Sequence, residues 1–160
     1  MTTLARYDEK VAPDDIPALY VVFKVGDAEY VLPTATVVQI ESYAGATTVP
    51  GVPTFVAGIV QIRGRIVPLI NLRARFGLPP GDVTVDTRIV VGQVGERVVG
   101  LVVDSGREVL KISPAQLRAT PKLLEDEAGG YIKAVAQLGA RLLLVMDFAK
   151  VVGEEQFDAG

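Results

Sequence analysis

The side chains that could do acid–base chemistry in this sequence are chiefly carboxylates, because it contains no histidine and no cysteine. That composition excludes histidine-based catalytic relays, thiolate or imidazole metal sites, and disulfides. Adjacent carboxylates can act as an acid–base pair. Acidic runs occur at Asp14-Asp15, Glu125-Asp126-Glu127 and Glu154-Glu155. These runs fall in a predicted leader, loop and tail, where like charges are usually solvated. We therefore expect no catalytic residue.

A glycine-rich stretch, GQVGERVVG from Gly92 to Gly100, has some resemblance to a phosphate-binding loop. It lacks the Gly-Lys-Ser/Thr ending, and no predicted helix follows it to supply backbone N–H groups. A β-hairpin explains the stretch better. The sequence also lacks a loop of regularly spaced carboxylates that would bind magnesium or calcium. We therefore expect neither a metal site nor a cofactor.

The stretch GIVQIRGRIVPLINLR, Gly58 to Arg73, places Arg63 and Arg65 around Gly64 inside an apolar run. One interpretation is a hairpin whose charged tip is simply solvated. The other is a functional role for one of the arginines, for which the resemblance described below supplies the only argument. The residue types by themselves leave both interpretations open.

The elements that position these residues are predicted to be short β-strands. Apolar segments rich in valine and isoleucine recur every 8–12 residues or so, as in sandwiches and barrels. Glycine as the first central residue of a two-residue turn is typical of type II′ hairpins. That pattern predicts turns at Gly26-Asp27, Gly64-Arg65, Gly95-Glu96 and Gly139-Ala140.

Short helical turns are predicted at five places: PTATVV, PTFVA, LRARFGL, SPAQLR and DFAKVV. Ser113 and Asp147 are the expected N-caps of the last two. Along the chain we predict a flexible leader over residues 1–17, one domain over 18–152 and a tail over 153–160. The loop from Gly77 to Asp86, GLPPGDVTVD, is the best candidate for a connection between two halves of that domain.

Strands such as RIVPLI, RVVGLVV and RLLLVM are apolar on both faces, so each face must be covered. Either two barrels pack against each other, or some of these residues form a partner surface; both can hold. The net charge of −3 gives no basic footprint for nucleic acid. Since no apolar run reaches membrane-spanning length, we expect no direct membrane insertion and a cytoplasmic location.

Three stretches carry a resemblance to a known family: FVAGIVQIRGRIVPLINLRARFGL, RIVVGQVGERVVGLVVDSGREVLKI and YIKAVAQLGARLLLVMD. From about Leu19 to Val152 the chain resembles the CheW-like family of chemotaxis coupling (adaptor) proteins. The resemblance implies an all-β fold of two packed five-stranded SH3-like barrels with a few short helices. It also implies a non-catalytic adaptor in a bacterial chemosensory array. Such an adaptor links the cytoplasmic tips of methyl-accepting chemoreceptors to the regulatory domain of a CheA-type histidine kinase.

Carried over position by position, the resemblance implies a receptor- and kinase-binding surface that comprises Arg63, Gly58, Val37, Gln39, Ile89 and Val109, with Gly64 as a structural turn residue. The sequence departs from the family pattern at several of these places. Asparagine is usual where Gln61 stands, aspartate where Asn71 stands, and glutamate is frequent where Gln39 stands. A neutral Gln39 cannot form an ion pair, which leaves Arg63 to pair with Glu41 or with the partner.

Three alternatives stay open. The nearest is a CheW-like adaptor of a divergent chemosensory system, for pilus motility or development, in place of flagellar chemotaxis. A regulatory domain excised from a CheA kinase is the second. A small ligand-binding β-barrel or enzyme is the third, and it requires a concave pocket with converging polar groups.

Overall fold

The computed structural model describes residues 16–122 and 130–153. All but the last residues of the predicted leader, the acidic run at 125–127 and most of the predicted tail lie outside these residues. The described strands are β1 (Ala18–Val25), β2 (Ala28–Pro33), β3 (Val37–Ser42), β4 (Val56–Ile62), β5 (Arg65–Asn71), β6 (Arg88–Val94), β7 (Arg97–Val103), β8 (Ser105–Ile112), β9 (Leu117–Ala119), β10 (Ile132–Leu138) and β11 (Arg141–Met146). The helical elements are α1 (Leu72–Arg75), a 3₁₀ turn (Pro114–Gln116) and α2 (Phe148–Val152).

The strands form two sheets, which confirms the predicted all-β fold of two packed SH3-like barrels. One sheet has the order β3-β6-β7-β5-β4, and the other has the order β8-β1-β2-β11-β10-β9. The sixth strand of the larger sheet is the three-residue β9, which pairs only with β10. Neighbouring strands are antiparallel except for β11 beside β2 and β5 beside β7, which are parallel.

The chain passes between the sheets at two short connections. The five-stranded sheet is built from one continuous segment, β3 to β7, whereas the six-stranded sheet combines strands from both ends of the chain. The prediction that the loop from Gly77 to Asp86 joins two halves is therefore wrong, because that loop connects α1 to β6 within one sheet. Its proline and glycine content marks a loop correctly but carries no information about which sheet the next strand joins.

Three apolar clusters explain why the strands are apolar on both faces. The largest lies between the sheets and takes side chains from both, including Phe23, Leu32, Leu101 and Met146. The six-stranded sheet has its own cluster around Val31, Leu143 and Val145, and the five-stranded sheet has one around Val67, Leu69, Ile89 and Val91. Successive residues of β11 therefore face different clusters: Leu143 and Val145 face one, and Leu144 and Met146 the other. The interpretation that two barrels pack against each other is confirmed.

Three of the four predicted glycine turns are confirmed. At the turns that begin with Gly26, Gly95 and Gly139, only the glycine has a positive φ, between 60° and 64°. The fourth turn is shifted by one residue. Ile62 pairs with Arg65, so the central residues are Arg63 and Gly64, with φ of 52° and 78°. Two positive φ angles define a type I′ turn, and the prediction of a type II′ turn at Gly64-Arg65 is wrong.

Three of the five predicted helical segments are helical, and the segments after Leu32 and around Phe55 form short turns that lead into β3 and β4. Asn71 begins α1, its Oδ1 accepting from the Ala74 N–H at 3.3 Å. Asp147 caps α2 as predicted, accepting from the Lys150 N–H at 3.2 Å. Ser113 begins the 3₁₀ turn, and its N–H donates to Oε1 of Gln116 at 2.8 Å.

A charged clamp joins the two sheets where the chain passes from β7 to β8. Asp104 accepts two hydrogen bonds from Arg73, at 3.0 Å from Nε and 2.7 Å from Nη2, and a third from the Gly26 N–H at 2.7 Å. Burial by itself would raise the pKa of the Asp104 carboxyl, but these hydrogen bonds outweigh it and hold the pKa below its ordinary value. The clamp thus fixes α1 of one sheet to the β1–β2 turn of the other.

Candidate functional site

A groove of 430 Å³ opens on the five-stranded barrel beside the Arg63-Gly64 turn. Its walls are the end of β3, the segment that follows it, and the last residues of β4, with one residue of β6 between them. The side chains and backbone that line it include Glu41, Gly45, Val60, Gln61, Arg63 and Ile89. The described lining therefore combines apolar residues with polar and charged ones and presents somewhat more polar than apolar surface, and Arg63 is its one guanidinium.

Arg63 is the most unusual of these residues in its backbone. Among the described residues it is the only one other than glycine with a positive φ. A side chain in this left-handed region costs about 1 kcal/mol relative to glycine. The Arg63 side chain is exposed, and it makes no hydrogen bond or ion pair with any residue that the structure describes. Its guanidinium is thus available to a partner at the mouth of the groove.

Glu41 contributes the carboxylate of the groove, and it is bonded to Gln39 and not to Arg63. Gln39 lies opposite Val91 and Glu41 opposite Ile89 on the paired strands β3 and β6. Residues two apart on a strand point to the same face, and here Nε2 of Gln39 donates to Oε2 of Glu41. The sequence left Glu41 as one possible partner of Arg63. In the structure the partner of Glu41 is Gln39.

Gly58 is placed where a side chain cannot fit. Its φ is 139°, and a β-carbon there would overlap the carbonyl oxygen of Thr47. The backbone approaches closely at this point because Thr47 and Ile59 exchange two hydrogen bonds of 2.9 Å. This bridge holds the segment that ends at Thr47, including the Gly45 wall of the groove, against β4. Gly58 thus shapes the groove through its backbone.

Val37 and Val109 lie outside the groove lining. Val37 is opposite Gly92 at the bulged start of β3 and packs against the cluster between the sheets. Val109 is on β8, the edge strand of the six-stranded sheet, opposite Val21 and 53% exposed. Strand β8 contacts β6 of the other sheet. Val38, the extra residue of the β3 bulge, is also exposed.

The structure therefore places Arg63 and Ile89 in the lining of one groove. Gln39 is linked to this lining by its hydrogen bond to Glu41. Gly58 lies on β4, where its close contact with Thr47 supports the wall around Gly45. Val37 and Val109 lie elsewhere. The sequence did not indicate the wall around Gly45, because the segment between β3 and β4 has no periodicity from which its position could be inferred. From the sequence, Gln61 was noted only as a departure from the family pattern, and its place in the groove lining was not predicted.

Two further features of the same residues concern clusters of acidic side chains and long apolar helices. The described part of the chain contains no group of three or more acidic side chains placed to hold a metal ion. Over the same residues, no helix is both long and apolar enough to cross a membrane. What the groove can do chemically is to bury apolar side chains of a partner while Arg63 binds an acceptor oxygen beside them.

Comparisons with known proteins give the following similarities. Residues 19–156 match the CheW family model, described as a CheW-like domain. The chain is 31% identical over 147 residues to the chemotaxis protein CheW of Klebsiella aerogenes, covering 92% of this chain and 89% of that protein. It is 28% identical over 134 residues to protein FrzA of Myxococcus xanthus, covering 81% and 82%. The crystal structure of the scaffolding protein TtCheW from Thermoanaerobacter tengcongensis superposes with a TM-score of 0.76 at 26% identity, covering 82% of this chain and 90% of that one.

Proposed function

The chain belongs to the CheW-like domain family, and on that premise we propose that it is a non-catalytic adaptor that couples transmembrane chemoreceptors to a CheA-type histidine kinase. The proposed partners are the cytoplasmic tip of a methyl-accepting receptor and the regulatory domain of the kinase. The proposed location is the cytoplasm, at the membrane receptor array.

The observation that carries this proposal is the position of Arg63 at the edge of the groove, where it has no ion pair to any residue that the structure describes. A receptor tip is helical, and a helix lying in a groove is read through apolar anchors and a few oriented polar contacts. Arg63 supplies such a contact, and Val60 and Ile62 supply partly exposed apolar side chains, whereas Ile89 is nearly buried. A turn that only had to connect two strands would be more stable with asparagine or glycine at this position.

The exposed valines outside the groove extend the proposed contact surface. Val38 is exposed at the bulged start of β3, and Val109 is exposed on β8, which contacts β6 next to β3. An adaptor also needs room for two partners at once, and two sheets provide more than one edge.

The experiment that tests the proposal is a binding assay with the purified chain, the kinase regulatory domain and a receptor-tip fragment from the same genome. We expect the unchanged chain to bind both. Arg63→Ala should keep kinase binding and weaken receptor binding by about tenfold, the usual scale for a central contact. Arg65→Ala is the matched control, because Arg65 carries the same charge two residues away and is not part of the groove.

Two outcomes would count against the proposal. If the unchanged chain binds neither partner, the adaptor function fails. If Arg63→Ala and Arg65→Ala weaken receptor binding equally, the effect is one of net charge and the groove is not the receptor site.

A second adaptor function is compatible with the match to FrzA, and the departures from the family pattern at Gln39, Gln61 and Asn71 are the observations that raise it. In that case the chain serves a divergent chemosensory system, for pilus motility or development. Binding constants for the regulatory domains of every CheA-type kinase in the genome separate the two functions. Tightest binding to the kinase of a flagellar system would exclude the second.

A further inference from the structure

We propose that Gln39 and Glu41 set the charge that the groove's partner must carry: Gln39 holds the Glu41 carboxylate, so Arg63 stays unpaired and binds a carboxylate on the partner's helix. This inference rests on the proposed function and concerns the specificity of the same groove. It makes Gln39 a specificity-determining residue that acts through its neighbour.

The first step is geometrical. Gln39 and Glu41 alternate with Ile40 along β3, so their side chains share the face that Val91 and Ile89 also occupy. The Gln39 amide donates to the Glu41 carboxylate on this face. Glu41 and Arg63 line the same groove, yet no ion pair joins them in the described structure. The hydrogen bond to Gln39 therefore competes with an internal pair across the groove.

The second step is electrostatic. An arginine that is already paired inside its own protein must give up or share that pair when a partner's carboxylate arrives. An unpaired arginine loses only its hydration, and it can form two parallel hydrogen bonds to the carboxylate. The groove is open to solvent, so the attraction is screened by salt and serves partner selection more than total affinity.

The third step is chemical. A glutamine is neutral at every pH and supplies a donor, whereas a glutamate at position 39 would supply neither a donor nor a neutral neighbour for Glu41. Two carboxylates on one strand face repel each other. One of them would then turn to the only cation in the described groove lining, Arg63. A single Gln39→Glu change is thus expected to close the site to an acidic partner.

The experiment measures the affinity of the full chain for the receptor-tip fragment at low and at moderate salt. We expect Gln39→Glu to weaken binding by about tenfold and Gln39→Leu, which frees Glu41 without adding charge, to weaken it by a smaller factor. Glu41→Gln removes a negative charge from the groove lining and should tighten the binding of an acidic partner. Added salt should weaken receptor-tip binding more for the unchanged chain than for Arg63→Ala, because only the unchanged chain can form the ion pair with the partner's carboxylate.

A double-mutant cycle tests whether Gln39 acts through Arg63. In the Arg63→Ala background, Gln39→Glu should have little further effect, since there is no guanidinium left to neutralise. An equal loss in both backgrounds would overturn the inference, as simple repulsion of the partner would explain it. Unchanged binding by Gln39→Glu in the original background would overturn it too.

The result also separates the inference from the proposed function. If the unchanged chain binds the receptor tip and Arg63→Ala does not, while Gln39→Glu binds normally, the function stands and the specificity role of Gln39 is lost. If the unchanged chain does not bind the receptor tip, both fail. Thermal melting of each variant shows whether a loss of binding reflects a loss of folding.

Discussion

Arg63 is held in a backbone conformation that does not suit its residue type. Type I′ turns favour asparagine or glycine at both central positions, because these residues tolerate positive φ. Here the second position is Gly64 and the first is an arginine with φ of 52°. The side chain has no partner within the described residues to offset this conformational cost. The presence of an arginine at this position is therefore explained better by binding of its guanidinium to a partner than by any contribution to the turn.

This conflict predicts that Arg63→Asn stabilises the protein and weakens its binding. We expect the free energy of unfolding to rise by about 0.5–1 kcal/mol, the usual gain when a residue suits its φ, and receptor affinity to fall as with Arg63→Ala. Urea denaturation gives the first quantity and the binding assay the second. Arg65→Asn is the control, since Arg65 begins β5 and gains nothing from tolerance of positive φ. A lower stability for Arg63→Asn would show that the arginine supports the fold.

The same residue shows what sequence reasoning can and cannot reach. The Arg-Gly-Arg stretch predicts a hairpin with a charged tip, and the hairpin is there. The sequence does not determine which two residues are central in the turn. Arg63-Gly64 and Gly64-Arg65 are both compatible with the same sequence, and they differ only in which residues of β4 and β5 pair. That shift matters, since it gives Arg63 a positive φ, whereas the predicted type II′ turn would have had a positive φ only at Gly64. Gly58 is similar: its importance was inferred by resemblance, but the carbonyl of Thr47 that excludes a side chain comes from a distant segment.

At the scale of elements, the hairpins were predictable because their signals are local. Turn glycines and runs of valine and isoleucine identified most of the strands, and the apolar character of both strand faces indicated a second layer. The parallel pairs β2–β11 and β5–β7 were not predictable, since each joins segments with no shared sequence signal. The groove depends on a similar distant contact, the Thr47–Ile59 bridge, so its residues could be named but its wall could not.

The clamp between Arg73 and Asp104 gives a prediction that belongs to this scale. Asp104→Asn should lower the free energy of unfolding at pH 7 by about 1 kcal/mol, the modest value typical of partly exposed charged hydrogen bonds. The pKa of Asp104 is lowered by folding, so its charge stabilises the fold above its ordinary pKa of 3.8, and this contribution is lost as the pH falls through the folded value. Urea denaturation at pH 7, 5 and 3 should show the difference between the two proteins shrinking at the lowest pH.

Glu29 provides a check on the assignment of the pH dependence of stability to Asp104. Hydrogen bonds from Arg141 to Glu29 lower the pKa of that carboxyl as well, so some acid sensitivity should persist in Asp104→Asn. A constant difference between the two proteins from pH 7 to pH 3 would show that the charge of Asp104 is not what stabilises the clamp.

At the scale of the whole molecule, we expect the cluster between the sheets to make the two barrels one cooperative unit once the chain is complete. Leu101 is completely buried there, whereas Leu143 is completely buried in the cluster that belongs to the six-stranded sheet. A buried leucine replaced by alanine costs about 2–5 kcal/mol. We expect Leu101→Ala and Leu143→Ala each to shift a single unfolding transition that both sheets share.

Amide hydrogen exchange of Val31 in one sheet and Val90 in the other measures this directly, because both residues are fully buried. Protection should fall by the same factor at the two amides in either variant. Loss of protection confined to the six-stranded sheet in Leu143→Ala would contradict the shared unit and show that the barrels open separately.

The path of the chain between the sheets has a consequence for synthesis. The five-stranded barrel is an uninterrupted insertion between two portions of the six-stranded one, so β1 and β2 leave the ribosome first but receive their neighbour β11 last. At ordinary elongation rates of about 5–20 residues per second, the hairpin they form waits several seconds with its apolar faces uncovered. The inserted barrel is complete once β7 has emerged. It is then the first surface that can cover one of the apolar faces of the β1–β2 hairpin. In the cell, the middle of this protein is expected to fold as the template on which its two ends are assembled.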